Sequence, residues 1–147
     1  MVDAERILAA LIPLLDKSTA TIITTDDSEK RHFIGETMLI AAGIFLLEHY
    51  CAAFLEGVGL HDLGKSHGEK ASALLTRVRM GNTSKSEIEE EKNNLPPMIN
   101  QVVEQSEKDS GKTNAERSVE ALLVKAGLTA RQARETAGAI STVILNK

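Results

Sequence analysis

Apolar residues recur at helical spacing along almost the whole chain, and the pattern predicts one helix after another. Ile7, Leu8, Leu11, Ile12, Leu14 and Leu15 form the apolar face of a first helix over about residues 3–17. Pro13 should bend or interrupt it, because proline lacks the backbone donor that a helix interior needs. The β-branched run Thr19–Thr25 finds no second strand candidate to pair with, so it reads as a helix end or loop. Asp26, Asp27 and Ser28 are cap formers, and a long helix over about 28–56 follows them. One face of that helix carries Phe33, Ile40, Ile44, Leu47, Cys51 and Phe54. The faces beside it add Ile34, Met38, Leu39, Ala41, Phe45 and Leu46. A helix apolar nearly all round belongs at the buried centre of a bundle or against a second subunit.

Beyond it the punctuation is regular. Gly57 and Gly59 end the central helix. Ser66-x-x-Glu69, Ser84-x-x-Glu87, Thr113-x-x-Glu116 and Thr129-x-x-Gln132 each have the form of a capping box that opens a helix. The first of these leads into Ala71, Leu74, Leu75 and Val78. The second leads into the polar run 87–94, a solvated turn of helix or a connector within about 81–95. Leu95-Pro96-Pro97 marks a new start, followed by Met98, Ile99, Val102 and Val103. Residues 108–112 read as loop. The last two helices bury Val119, Leu122, Leu123 and Ala126, then Ala133, Ala137, Ile140, Val143 and Ile144, with Gly127 between them. The expectation is an all-α bundle of five or six helices around a central apolar helix, closed by a C-terminal helical hairpin and forming a single domain over 1–147.

Composition agrees with this. The chain of 147 residues is 42% hydrophobic and only 3% aromatic, so Leu, Ile, Val, Ala and Met must build the core. A net charge of −4 with scattered Lys and Arg argues against a nucleic-acid partner, whose affinity would come from phosphate neutralisation. The single Cys51 allows no internal disulfide and fits a reducing compartment. No signal peptide is evident, and the most apolar run, 38–47, is about half a membrane span. A cytoplasmic protein without a membrane span is expected.

Candidate chemistry gathers in Gly57-Val-Gly-Leu-His-Asp-Leu-Gly-Lys-Ser-His-Gly-Glu69. Gly59-x-x-x-x-Gly64-Lys65-Ser66 satisfies the phosphate-loop pattern, in which backbone N–H groups, a lysine and a hydroxyl cradle phosphates. Such a loop emerges from a buried strand, and the residues before it read as helix. What survives is a candidate anion site at Gly64, Lys65 and Ser66, at the start of the following helix. Read instead as His61-Asp62-Leu63-Gly64-Lys65, the stretch resembles the signature of the HD-type metal phosphohydrolases, an all-helical family. The resemblance covers about residues 30–70 and implies a metal set of His32, His61, Asp62 and Asp109. These would hold a divalent metal such as Mn, Fe or Mg that generates a bound hydroxide. In the plainest reading the glycines only let the backbone turn. His67 then reads as solvated, and His49 as a polar residue at a seam between helices.

The C-terminal pair, residues 115–145, resembles the helical hairpin of histone-like DNA-bending proteins, but such hairpins are generic. No complete catalytic constellation is present and no catalytic residue is assigned. The expected function is therefore that of a small helical protein acting by protein–protein interaction, in a regulatory or adaptor role, with itself as one possible partner. The HD-type phosphohydrolase is the alternative.

Overall fold

The computed structural model describes residues 4–14, 36–80 and 84–145, and all the regular structure among them is helical. Helix α1 (Ala4–Leu11) buries Leu8 and Leu11, and Pro13 lies in the single 3-10 turn Ile12–Leu14 that replaces a further α-helical turn. Helix α2 (Glu36–Gly57) is the central element. Helices α3 (His61–Arg79), α4 (Lys85–Lys92), α5 (Leu95–Glu104) and α6 (Asp109–Ala126) all pack on it, and so does α1. Helix α7 (Ala130–Leu145) lies mainly on α6 and α1 and makes the hairpin with α6.

The expected start of α2 near residue 28, its caps Asp26 and Asp27, and Phe33 and Ile34 lie outside the described residues. Within them α2 is buried on every side. Ala41, Ala42, Ile44, Phe45, Leu46, Leu47, Tyr50, Cys51, Phe54 and Leu55 are all in the core. Each large side chain among these stabilises the fold by about 1.5–3 kcal/mol relative to exposure. Leu39–Gly57 is long and apolar enough to cross a membrane, and 78% of it is buried inside the bundle.

Helix α2 ends in a Schellman turn. Gly59 takes φ +92°, its N–H bonds Glu56 O at 3.1 Å, and the Leu60 N–H bonds Leu55 O at 2.9 Å. Gly127 (φ +119°) closes α6 in the same way through Leu128 and Leu123. The chain therefore re-enters a helix at His61, not after Ser66. Gly64, Lys65, Ser66 and Glu69 are interior residues of α3, so the expected capping box there is absent. Likewise α6 begins at Asp109, and Thr113-x-x-Glu116 lies within it. The other two boxes form. Ser84 Oγ accepts from the Glu87 N–H at 3.2 Å while Glu87 accepts from the Ser84 N–H at 2.8 Å. Thr129 and Gln132 exchange the same pair of bonds at 3.1 Å each.

Three glycines sit where helices touch. A Cβ on Gly64 would stand 2.9 Å from the Ala52 carbonyl oxygen and 3.1 Å from the Glu56 nitrogen. One on Gly111 would press into the Phe54 ring at 2.6 Å, and one on Gly57 would meet Ser110 O at 2.7 Å. These residues bring α3 and α6 against α2 at backbone distance. Gly138 of α7 has nothing within 4 Å of its Cβ position.

Space should therefore decide the sign of glycine-to-alanine changes. Gly64→Ala and Gly111→Ala should each lower stability by about 1–3 kcal/mol through overpacking. Gly138→Ala should raise it by about 0.5–1 kcal/mol through helix propensity. Urea titrations followed by circular dichroism would read all three.

Candidate functional site

Consecutive residues on a helix point about 100° apart, and α2 uses three in a row to grip three neighbours. Glu48, His49 and Tyr50 are all polar and lie at the middle of an apolar cylinder. Glu48 is fully buried and turns to Glu91 of α4. His49 Nε2 lies 2.9 Å from Ser118 Oγ of α6. Tyr50 Oη lies 2.6 Å from Ser141 Oγ of α7, and Ser141 in turn donates to Glu116 Oε2. Because the serine proton goes to Glu116, the phenol is the donor to Ser141. Lys112 Nζ, 3.3 Å from Glu116, balances the charge at the end of this relay. Burial raises the Tyr50 phenol and lowers the His49 imidazole, the latter against the hydrogen bond to Ser118. At neutral pH both side chains are uncharged.

On the side of α2 between α3 and α6 the surface is indented. Both helices run back along α2. Gly64 lies beside Ala52, while Leu75 and Arg79 lie beside Phe45. Asn114 of α6 donates to Ala53 O at 2.7 Å, and Lys125 and Ala126 lie beside Phe45. Two depressions sit end to end in the gap. The first, of about 520 Å³, is apolar with a cationic rim, lined by Phe45, Leu75, Leu122 and Ala126 with Arg79 and Lys125. The second, of about 760 Å³, has a floor of Ala52, Ala53, Gly64 and Gly68 and walls bearing Glu56, Lys65, Glu69, Ser72, Asn114 and Ser118. His49 joins them, its ring 5.9 Å from that of Phe45. The α2 positions 45, 49, 52 and 56 share one face, so the trough follows that helix for about eleven residues, or about 16 Å.

The residues singled out by sequence fall in different places. His61 and Asp62 occupy the first turn of α3 and are exposed. His61 Nδ1 lies 2.8 Å from Glu56 Oε1, a contact between two largely exposed side chains. Asp109 is exposed at the start of α6, and His32 lies outside the described residues. Among the described residues no three His, Cys, Asp or Glu side chains are grouped so as to hold a metal. Gly64, Lys65 and Ser66 form no phosphate-cradling loop, because the helix already runs through them and Gly64 is pressed against α2. Gly64 N–H is taken by Leu60 O at 3.0 Å. Lys65 and Glu69 reappear as walls of the trough. His67 is not solvated: it is 7% exposed, and its Nε2 lies 2.8 Å from Gln101 Oε1 of α5. His49 occupies the interhelical seam expected of it. Cys51 is fully buried, and burial pushes its thiol up.

Two outcomes follow. Cys51 should resist a thiol reagent in the native protein and react fully once the chain is unfolded, as a time course with a chromogenic disulfide would record. His61→Ala should change stability by no more than about 0.5 kcal/mol, since an exposed ion pair contributes little. Denaturant midpoints measure it. Compared with protein-family models, with curated proteins and with solved structures, the chain gives no match.

Proposed function

We propose that this protein acts by binding another protein, taking an amphipathic helix of the partner into the trough between α3 and α6. The observation that carries this reading is the pair of depressions that follow α2 from Phe45 to Glu56, where His49 and Glu56 are half-buried. The trough has the length of three helical turns, suited to a helix laid along it. Ala52, Ala53 and Gly68 along half of its floor are small, so that half is shallow and bears polar walls. The other half offers an apolar seat for one or two large side chains. Lys125 at the apolar end favours an acidic residue on the incoming helix, where charge complementarity sets orientation more than affinity. A regulatory or adaptor role suits a small chain whose recognition surface is one helix-sized trough.

Synthetic helices test this. A fifteen-residue peptide with leucines at helical spacing and a glutamate beside the first of them should saturate the protein. Its amide shifts should be confined to residues lining the trough. Ala121 is exposed and also lines the apolar depression, so Ala121→Arg should abolish binding without unfolding the bundle. Lys125→Glu should weaken the glutamate peptide by about twofold to fivefold and strengthen a lysine counterpart. Shifts scattered over the surface, or binding untouched by Ala121→Arg, would sink the reading. A concentration-dependent dimer that Ala121→Arg dissociates would show instead that the occupant is a second copy of this chain.

A further inference from the structure

The contact between Glu48 and Glu91 sets a fully buried acidic side chain against a partly buried one. Glu48 is 0% exposed, and with both groups ionised its two oxygens and Glu91 Oε1 would be buried with no hydrogen-bond donor. Desolvating one unpaired carboxylate costs several kcal/mol, and placing a second beside it costs more. Glu91 has a cation: its Oε2 accepts from Arg77 Nη2 at 3.0 Å. Glu48 has none within contact distance. The charged groups acting on Glu48 are Glu91 of α4 and Lys70 and Arg77 of α3. On α2 itself the buried Cys51 thiol is near enough to sense it.

One proton resolves the conflict. A carboxylic acid on Glu48 donates to a Glu91 carboxylate that is already held by Arg77. Every group in the line Arg77–Glu91–Glu48 then has a partner of the right sign. We infer that this shared proton is a clamp: it fastens α4 to α2 at neutral pH and lets α4 go as the solution turns alkaline. Helix α4 suits such a role. It is eight residues long, is polar on most of its surface and buries only Ile88. Apart from the shared proton it is held by Arg77 to Glu91 at 3.0 Å and to Glu87 at 3.8 Å, and by Lys92 to Glu5 of α1 at 2.9 Å, each pair with a member at least a third exposed.

The titration range follows from the surroundings. Burial first, then the charge and hydrogen bond of Glu91, push the Glu48 carboxyl up to about 8 from 4.5, against the pull of Lys70 and Arg77. Its pKa is raised in the folded state, so the folded chain holds a proton that the unfolded chain releases. The stabilisation is complete below the unfolded value, declines as pH rises and is gone above the folded value.

Three readouts test the clamp in the intact chain. The infrared spectrum at neutral pH should show the carbonyl stretch of a protonated carboxyl group, absent from Glu48→Gln. The unfolding constant should rise about tenfold per pH unit between about pH 5.5 and about pH 7.5 from this group, and Glu48→Gln should remove that slope. Glutamine keeps a donor toward Glu91, so the variant retains the fold. Glu91→Gln serves as the second variant, keeping the protonated band while drawing the slope's upper limit to lower pH. Amide protection over Glu89–Lys92 should fall between about pH 7 and about pH 9 relative to α6 at the same pH, and should hold steady in Glu48→Gln. A spectrum without the protonated band, an unchanged slope in Glu48→Gln, or α4 protection that follows α6 throughout would overturn the proposal.

Discussion

The structure depends on covering one apolar cylinder. Helix α2 carries buried side chains in every direction, so no single neighbour can shield it. Five other helices and the 3-10 turn share the work, and α4, only eight residues long, contributes little apolar area of its own. Short helices are marginal in isolation because the first turn is costly to nucleate. Here packing on α2 supplies what propensity does not. The glycines at 57, 64 and 111 belong to the same economy of space, because a larger residue at any of them would hold α3 or α6 away from the centre.

An apolar cylinder specifies burial but not register. The polar triplet Glu48, His49 and Tyr50 supplies register, since each member meets a defined partner on a different helix. A slip of one residue in α6 or α7 would leave Ser118 or Ser141 out of reach and strand a buried polar group, at about 1–3 kcal/mol each. The relay from Tyr50 through Ser141 to Glu116 also ties α2, α6 and α7 together in directions that leucine packing leaves free. Glu48 is the member whose partner has the same sign, and it is satisfied only with its proton on.

Hydrophobic periodicity made the bundle, its central helix and the C-terminal hairpin legible in the sequence. Two of four capping boxes were legible as well, at Ser84 and Thr129. The misread boxes at Ser66 and Thr113 have a common cause. Glycine serves both to turn a chain and to let two backbones touch, and sequence alone does not separate the uses. Gly59 and Gly127 turn, with positive φ, whereas Gly64 and Gly111 touch. Reading all of them as loop moved the starts of α3 and α6 several residues late. It also made Gly64, Lys65 and Ser66 look like an anion loop. The trough was not legible, because its walls come from residues about fifty apart on α3 and α6. Their one sequence trace is the exposed-side spacing of 65, 68, 72, 75 and 79. Nor was the Glu48–Glu91 pair, since a lone glutamate in an apolar run and one of four acidic residues in a polar run carry no mark of each other.

Helix α3 is common to the trough and to the clamp. Its Leu75 and Arg79 face the trough, while Arg77 between them reaches to Glu91 and Glu87 on the other flank. An alternating arrangement of this kind, on a helix that touches α2 through glycine, makes α3 the element through which the two regions share support. The link has a stated physical limit. Leu74 and Ala71 are buried against the core, so α3 is anchored there whatever happens to α4. Loss of α4 therefore removes a brace from one flank of α3 without removing the wall of the trough. What it changes is how firmly that wall is held; on the proposed reading, a loosened wall would have to be ordered again when a partner helix binds, at an entropic cost.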